Sequence, residues 1–85
     1  MIVEYSKEFL KQSKKLDPNL RKKIEFAVKV FVENPLHPSL RNHQLRGKYK
    51  LYRSINITGD LRALYRQKDD GVIFGPIGTH SQLYG

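Results

Sequence analysis

The feature that most constrains this chain is an apolar stripe with a sharp start and a sharp stop. Leu20, Ile24, Ala27, Val28 and Phe31 recur at helical spacing, so they share one side of an amphipathic helix. Asp17-Pro18 begins it. The aspartate can accept from free N–H groups of the first turn, and proline at the first helical position sacrifices no bond, because a donor there has no partner. Asn34-Pro35 ends it, since the residue before proline is pushed out of the helical region. Just upstream, Ser6 is placed to cap a shorter helix reaching about Leu16. Phe9, Leu10, Ser13 and Leu16 lie on one face of it, and Lys7, Lys11, Lys14 and Lys15 on the rest. Two antiparallel helices joined at Asp17-Pro18 form a hairpin that must bury its stripe against something else.

The second half supplies that partner. Leu36 to Gly47 is mostly polar, contains Pro38 and Gly47, and reads as a loop. Three strand-like runs follow, about Lys48 to Ile57, Leu61 to Lys68 and Gly71 to Ile77. They are separated by the hairpin-turn signals Thr58-Gly59-Asp60 and Asp69-Asp70-Gly71. Ile2 to Tyr5 alternates weakly and is expected to join an edge of this meander, and Gly78 to Gly85 closes the chain with room for one helical turn. The predicted fold class is α+β: an N-terminal strand and a two-helix hairpin packed on a three- to four-stranded antiparallel sheet, whose other face is left for function. With 85 residues, one domain spanning 1–85 is expected. There is no cysteine, so neither a disulfide nor a thiolate metal site can brace the fold. That suits a reducing cytosol. No stretch reads as a membrane span or an export signal, and the expected location is cytoplasmic.

Lysine and arginine number 16 against 8 acidic residues, a net charge of +8. Such an excess suits a polyanionic partner and says nothing about fold. Its distribution is more informative. No acidic residue occurs between Glu33 and Asp60, while Arg41, Arg46, Lys48, Lys50 and Arg53 all fall there, with Tyr49 and Tyr52 interleaved. Cations with aromatics can neutralise phosphates and stack on bases, although a solvated basic loop would read the same way.

Three histidines are available, His37, His43 and His80. A histidine side chain, with an ordinary pKa of about 6.5, both takes and gives protons near neutral pH. Cleavage of RNA by its own 2′-hydroxyl needs both acts. One group removes the 2′-OH proton, another protonates the leaving 5′-oxygen, and nearby cations offset the charge that builds on the phosphorane. His80 and Tyr84, four apart, share a face if the last turn is helical. His43 sits in the basic loop, and Asp60 lies at a turn where it can orient a histidine or only shape the turn. His37, between Leu36 and Pro38, reads as structural. The histidine spacings match no close-paired zinc pattern, so no metal site and no cofactor are expected. Neither a Gly-x-Ser-x-Gly elbow nor a phosphate-binding glycine loop occurs.

Taken in order, three segments resemble the YafQ-like branch of the RelE/ParE toxin superfamily. They are Asn42-His43-Gln44-Leu45-Arg46-Gly47, then Tyr52-Arg53 followed by Gly59-Asp60-Leu61-Arg62-Ala63-Leu64-Tyr65, and lastly Gly78-Thr79-His80-Ser81-Gln82-Leu83-Tyr84-Gly85. The resemblance implies a toxin of a type II toxin–antitoxin system, an endoribonuclease that cuts messenger RNA in the ribosomal A site without metal. It also implies an antitoxin, expected to be acidic, that wraps the active face. By position it makes His80 the main general acid/base and His43 and Asp60 supporting groups. It makes Arg62 a phosphate-contacting arginine and Tyr84 an aromatic that stacks on or positions the nucleotide. Arg46, Lys48, Lys50 and Arg53 are read as phosphate contacts from their charge and place in the chain. The sequence departs from the family pattern at Asn56, where a further histidine is usual, at Leu61, which replaces an aromatic, and at Pro76, where an arginine can stand. Two other functions fit the same composition: a ParE-like toxin that binds a protein target such as DNA gyrase, and a non-catalytic nucleic-acid-binding module.

Overall fold

The computed structural model describes residues 1–84. Strand β1 (Ile2–Tyr5) leads into helices α1 (Lys7–Lys14) and α2 (Pro18–Glu33). A short strand β2 (His43–Gln44) precedes β3 (Arg53–Asn56), β4 (Leu61–Lys68) and β5 (Gly71–Thr79), and α3 (His80–Tyr84) closes the described chain. Single 3-10 turns at Pro38–Leu40 and Gly47–Tyr49 flank β2. Among the described residues no helix is long and apolar enough to cross a membrane.

Both helix starts form as their cap residues dictate. The Ser6 hydroxyl accepts from the Phe9 N–H at 3.0 Å, and Asp17 Oδ1 accepts from the Leu20 N–H at 2.9 Å, with Pro18 opening α2. Asn34 leaves α2 with extended backbone, as the following proline requires. α2 buries Ile24, Ala27, Val28 and Phe31. α1 differs from expectation: it ends at Lys14 and buries only Phe9, while Leu10 stays 48% exposed. A helix of two turns presents too narrow a strip to bury both neighbours.

The sheet order is β1-β5-β4-β3-β2. Five strands form rather than three or four, and the sheet is mixed, because β1 runs parallel to β5, with Ile2 opposite Gly71 and Tyr5 opposite Phe74. The alternation of a strand is the same in either direction, so its polarity is set by the path of the helical hairpin rather than by its own residues. β2 is two residues long, too short for a periodic signal, and lies inside the predicted loop. β3 begins at Arg53 rather than near Lys48, because Gly47, with φ of 66°, turns the chain into a 3-10 segment, after which the Tyr52 N–H bonds the Tyr49 carbonyl at 2.8 Å. β4 spans Leu61–Lys68 as predicted, and β5 runs two residues beyond Ile77.

One irregularity matters for the site. Ala63 pairs with Ile77 and Tyr65 with Phe74, so Leu64 stands opposite two residues, Gly75 and Pro76. This is a β-bulge, where a proline without an N–H costs the ladder little. The Ile77 N–H is taken by Gln12 Oε1 of α1 at 2.8 Å, which ties the helix to the bulged strand.

The core lies between the hairpin and one sheet face. Phe9 and Phe31 meet Tyr65 and Phe74, and the Phe31 ring stands edge-on to both Tyr65 (4.7 Å) and Phe74 (5.5 Å). At its rim, burial and then the nearby Glu25 carboxylate push the Tyr5 hydroxyl above the ordinary tyrosine range. Strand alternation sends Ser54, Arg62 and Leu64 to the opposite face. There Tyr52 covers Gly75, whose missing side chain makes room for the ring, and Gln82 and Leu83 of α3 pack over Gly78.

Candidate active site

On this second face His43, Leu45, Arg46, Arg62, His80 and Tyr84 line one pocket of about 330 Å³. Separate elements deliver its chemistry: β2 brings His43, β4 brings Arg62, and the β5–α3 junction brings His80.

His80 is placed by a reciprocal cap. The Thr79 N–H donates to Gln82 Oε1 at 2.8 Å, and the Gln82 N–H donates to Thr79 Oγ1 at 3.2 Å. This capping box opens α3 at His80. One turn later the Tyr84 ring stands 4.8 Å from the His80 ring at 67°. His43 is fixed differently. Its Nδ1 lies 2.8 Å from the carbonyl oxygen of Arg41, a residue held in the left-handed region at φ of 47°. A carbonyl only accepts, so Nδ1 carries the hydrogen and Nε2 is the proton acceptor of the neutral ring. Arg62 pairs across the sheet with Asn56 and Gly78, and its Nη1 donates to the Gly59 carbonyl at 2.9 Å. The β3–β4 turn therefore steadies the guanidinium while leaving most of its donors free.

The structure thus brings His43, Arg46, Arg62, His80 and Tyr84 together. Lys48 does not line the pocket; its ammonium lies 5.1 Å from the centre of the Tyr49 ring, which in turn stands 6.1 Å from that of Tyr84. Lys50 is exposed just after the 3-10 turn and does not line the pocket. Asp60 stands at the tip of the β3–β4 turn, one residue before Leu61, which pairs with Thr79. It is therefore near the β5–α3 junction, yet among the described residues it makes no hydrogen bond to either histidine, and its own N–H is taken by the Thr58 hydroxyl at 3.3 Å. Arg53 lies on the helix side of the sheet, its Nε donating to Asn42 Oδ1 at 2.8 Å. There it lines a larger cavity of about 720 Å³ with Phe31, Tyr65 and Asp69, which contains no histidine. His37 is structural: its Nδ1 accepts from the Ser39 N–H at 3.1 Å and caps the Pro38–Leu40 turn. Among the described residues no three side chains of metal-ligating type converge.

Two features escaped the sequence reading. The capping box is written plainly in Thr79-His80-Ser81-Gln82, a Thr-x-x-Gln pattern that locates His80 at the start of a helix. Asn42 is the second. It donates to the Pro35 carbonyl (2.9 Å) and to the Tyr65 hydroxyl (2.7 Å), and it accepts from Arg53, so it locks the loop before β2 onto the core. In the sequence it stands only as the first residue of the Asn42–Gly47 segment, with nothing to mark this role.

Fold and pocket together describe an α+β protein in which two histidines, two arginines and a tyrosine share one pocket. The family model described as "Bacterial toxin of type II toxin-antitoxin system, YafQ" matches residues 1–85. The mRNA interferase toxin YafQ of Escherichia coli (strain K12) is 31% identical over 90 residues, covering 98% of this chain and 95% of that protein. The crystal structure of YafQ from E. coli strain BL21(DE3) superposes with a TM-score of 0.76 at 27% identity, covering 99% of this chain and 98% of that one. YafQ in the E. coli DinJ–YafQ complex gives 0.73 at 27% identity, with 99% and 98% covered. The chain belongs to the YafQ family of bacterial type II toxin–antitoxin toxins.

Proposed function

We propose that this toxin is an mRNA interferase that cuts messenger RNA at the ribosomal A site. The observation that carries this reading is the meeting of two histidines, two arginines and a tyrosine in one exposed pocket. His43 Nε2 takes the proton from the 2′-hydroxyl, and the resulting oxygen attacks the adjacent phosphorus. His80 donates a proton to the 5′-oxygen as the P–O5′ bond breaks, leaving a cyclic 2′,3′-phosphate and a free 5′-hydroxyl. Arg46 and Arg62 offset the charge of the phosphorane, where fixed donors act most strongly. Tyr84, half exposed beside His80, stacks on a base of the cleaved dinucleotide. Among the described residues Asp60 hydrogen-bonds neither ring, so it keeps a place near the β5–α3 junction and is given no proton-transfer step. The relative bound to DinJ, together with the charge of +8 on this chain, supports an acidic antitoxin as partner.

The test is cleavage of a translated message in a purified translation system. His80→Ala and His43→Ala should each slow cutting by about 10²- to 10⁴-fold, while circular dichroism and antitoxin binding stay as in the wild type. Wild-type cutting rates in His80→Ala would remove that residue from the mechanism. Growth arrest without any cut message would favour a protein target instead.

A further inference from the structure

The pocket has a neighbour that the proposed chemistry does not use. On the far side of α3 a groove of about 490 Å³ is lined by Glu8, Gln12, Lys15, Tyr49, Gln82 and Leu83, among others. Tyr49 stands between groove and pocket, its ring centre 6.1 Å from that of Tyr84, which in turn adjoins His80. A second ring, Tyr52, lies 6.0 Å from Tyr49 at 88°, so Tyr49 is held by two nearly perpendicular neighbours. Tyr52 is committed to packing, since its ring covers Gly75. Tyr49 is only half-buried, and the Lys48 ammonium reaches to 5.1 Å from its centre. The ammonium lies over one face of the ring, so a base stacking on that face must displace it.

We propose that Tyr49 is a second nucleotide-binding residue. A base flanking the scissile phosphate stacks on its ring, and the ammonium groups of Lys48 and Lys15 meet the phosphate of that nucleotide. This assignment rests on the RNA-cleavage reading above. A ring immobilised before the ligand arrives loses little freedom on binding, and every base offers a flat face, so the contact adds affinity without strong sequence preference.

The experiment compares wild type, Tyr49→Leu and Tyr49→Phe on programmed ribosomes. Leucine keeps apolar bulk against Tyr52 and Tyr84 but has no flat face, whereas phenylalanine keeps the face. Tyr49→Leu should raise the toxin concentration for half-maximal cutting by on the order of 10-fold, with the maximal rate little changed, and Tyr49→Phe should restore it. In parallel, two messages with a 2′-deoxy residue at the cut site and one 2-aminopurine, on one side or the other, should both lose fluorescence on binding wild type and Tyr49→Phe; with Tyr49→Leu one of them should keep it, while the other is still quenched by Tyr84. Unchanged half-saturation in Tyr49→Leu would overturn the assignment and leave the nuclease reading standing. So would a lowered maximal rate alone, because the ring would then only brace Tyr84. If Tyr49→Leu fails to fold, the wild-type fluorescence decides: quenching at only one flanking position, or at neither, overturns the proposal. A wild-type protein that cuts no message fails at the earlier step, and the role of Tyr49 falls with it.

Discussion

Thr79 and Gln82 hold each other's backbone N–H groups, and through that exchange they set where His80 stands. Losing a threonine cap commonly costs about 0.5–2 kcal/mol. Thr79→Ala should therefore lower the melting temperature by several degrees, at roughly 4–8 °C per kcal/mol for a domain of this size. Because α3 also carries Tyr84, cleavage should fall further than the loss of folded protein explains, and Thr79→Ser should recover both. A variant that melts lower but cuts at the wild-type rate per folded molecule would show that the cap serves stability alone. His43 needs no such helix. The strained turn at Arg41 orients its carbonyl to fix the tautomer, a device that works within three residues.

At the level of elements, Gly71 decides whether β1 joins the sheet. Any Cβ there would overlap the Ile2 carbonyl, so the strand can approach only a glycine. Gly71→Val should cost about 1–3 kcal/mol or more by overpacking and should free the amides of Ile2–Tyr5 to exchange with solvent. Equal protection of those amides in the variant would mean that β1 tolerates a side chain there. The same pairing shows what the sequence could and could not disclose. Asp17-Pro18, Asn34-Pro35 and the two hairpin turns are local signals that act within a few residues, and each element they bound was legible. The direction of β1, the brief β2 and the late start of β3 depend on contacts made across the whole chain. Arg53 illustrates the cost. A strand starting near Lys48 leaves its face undefined, and only the pairing of Arg53 with Tyr65 shows that it points to the core side, away from the histidines. His80 and Tyr84 were legible as a pair because four residues of helix bring them together whatever else the fold does.

Over the whole molecule the positive charge is little used internally. Among the described residues a single ion pair forms, Lys68 with Glu4 at 3.2 Å, so most cations are free to meet an external polyanion. Binding to a single-stranded RNA should weaken with salt, with a log–log slope of about −0.7 for each phosphate neutralised. Arg46→Gln and Lys48→Gln should each reduce that slope by somewhat less than one unit, while Arg53→Gln, on the opposite face, should leave it unchanged. A slope near zero in the wild type would remove phosphate tracking as the basis of affinity.

The pairing of β1 with β5 also bears on when, during synthesis, the fold can be completed. The first strand finds its neighbour only when residues 71–74 have been synthesised, and His80 follows six residues later. Contacts so distant along the chain form late. A nascent chain that has not reached residue 71 therefore carries the basic helices, His37 and His43, but neither a finished sheet nor His80. The pocket that gathers His43, Arg62 and His80 can close only after residue 80 has left the ribosome.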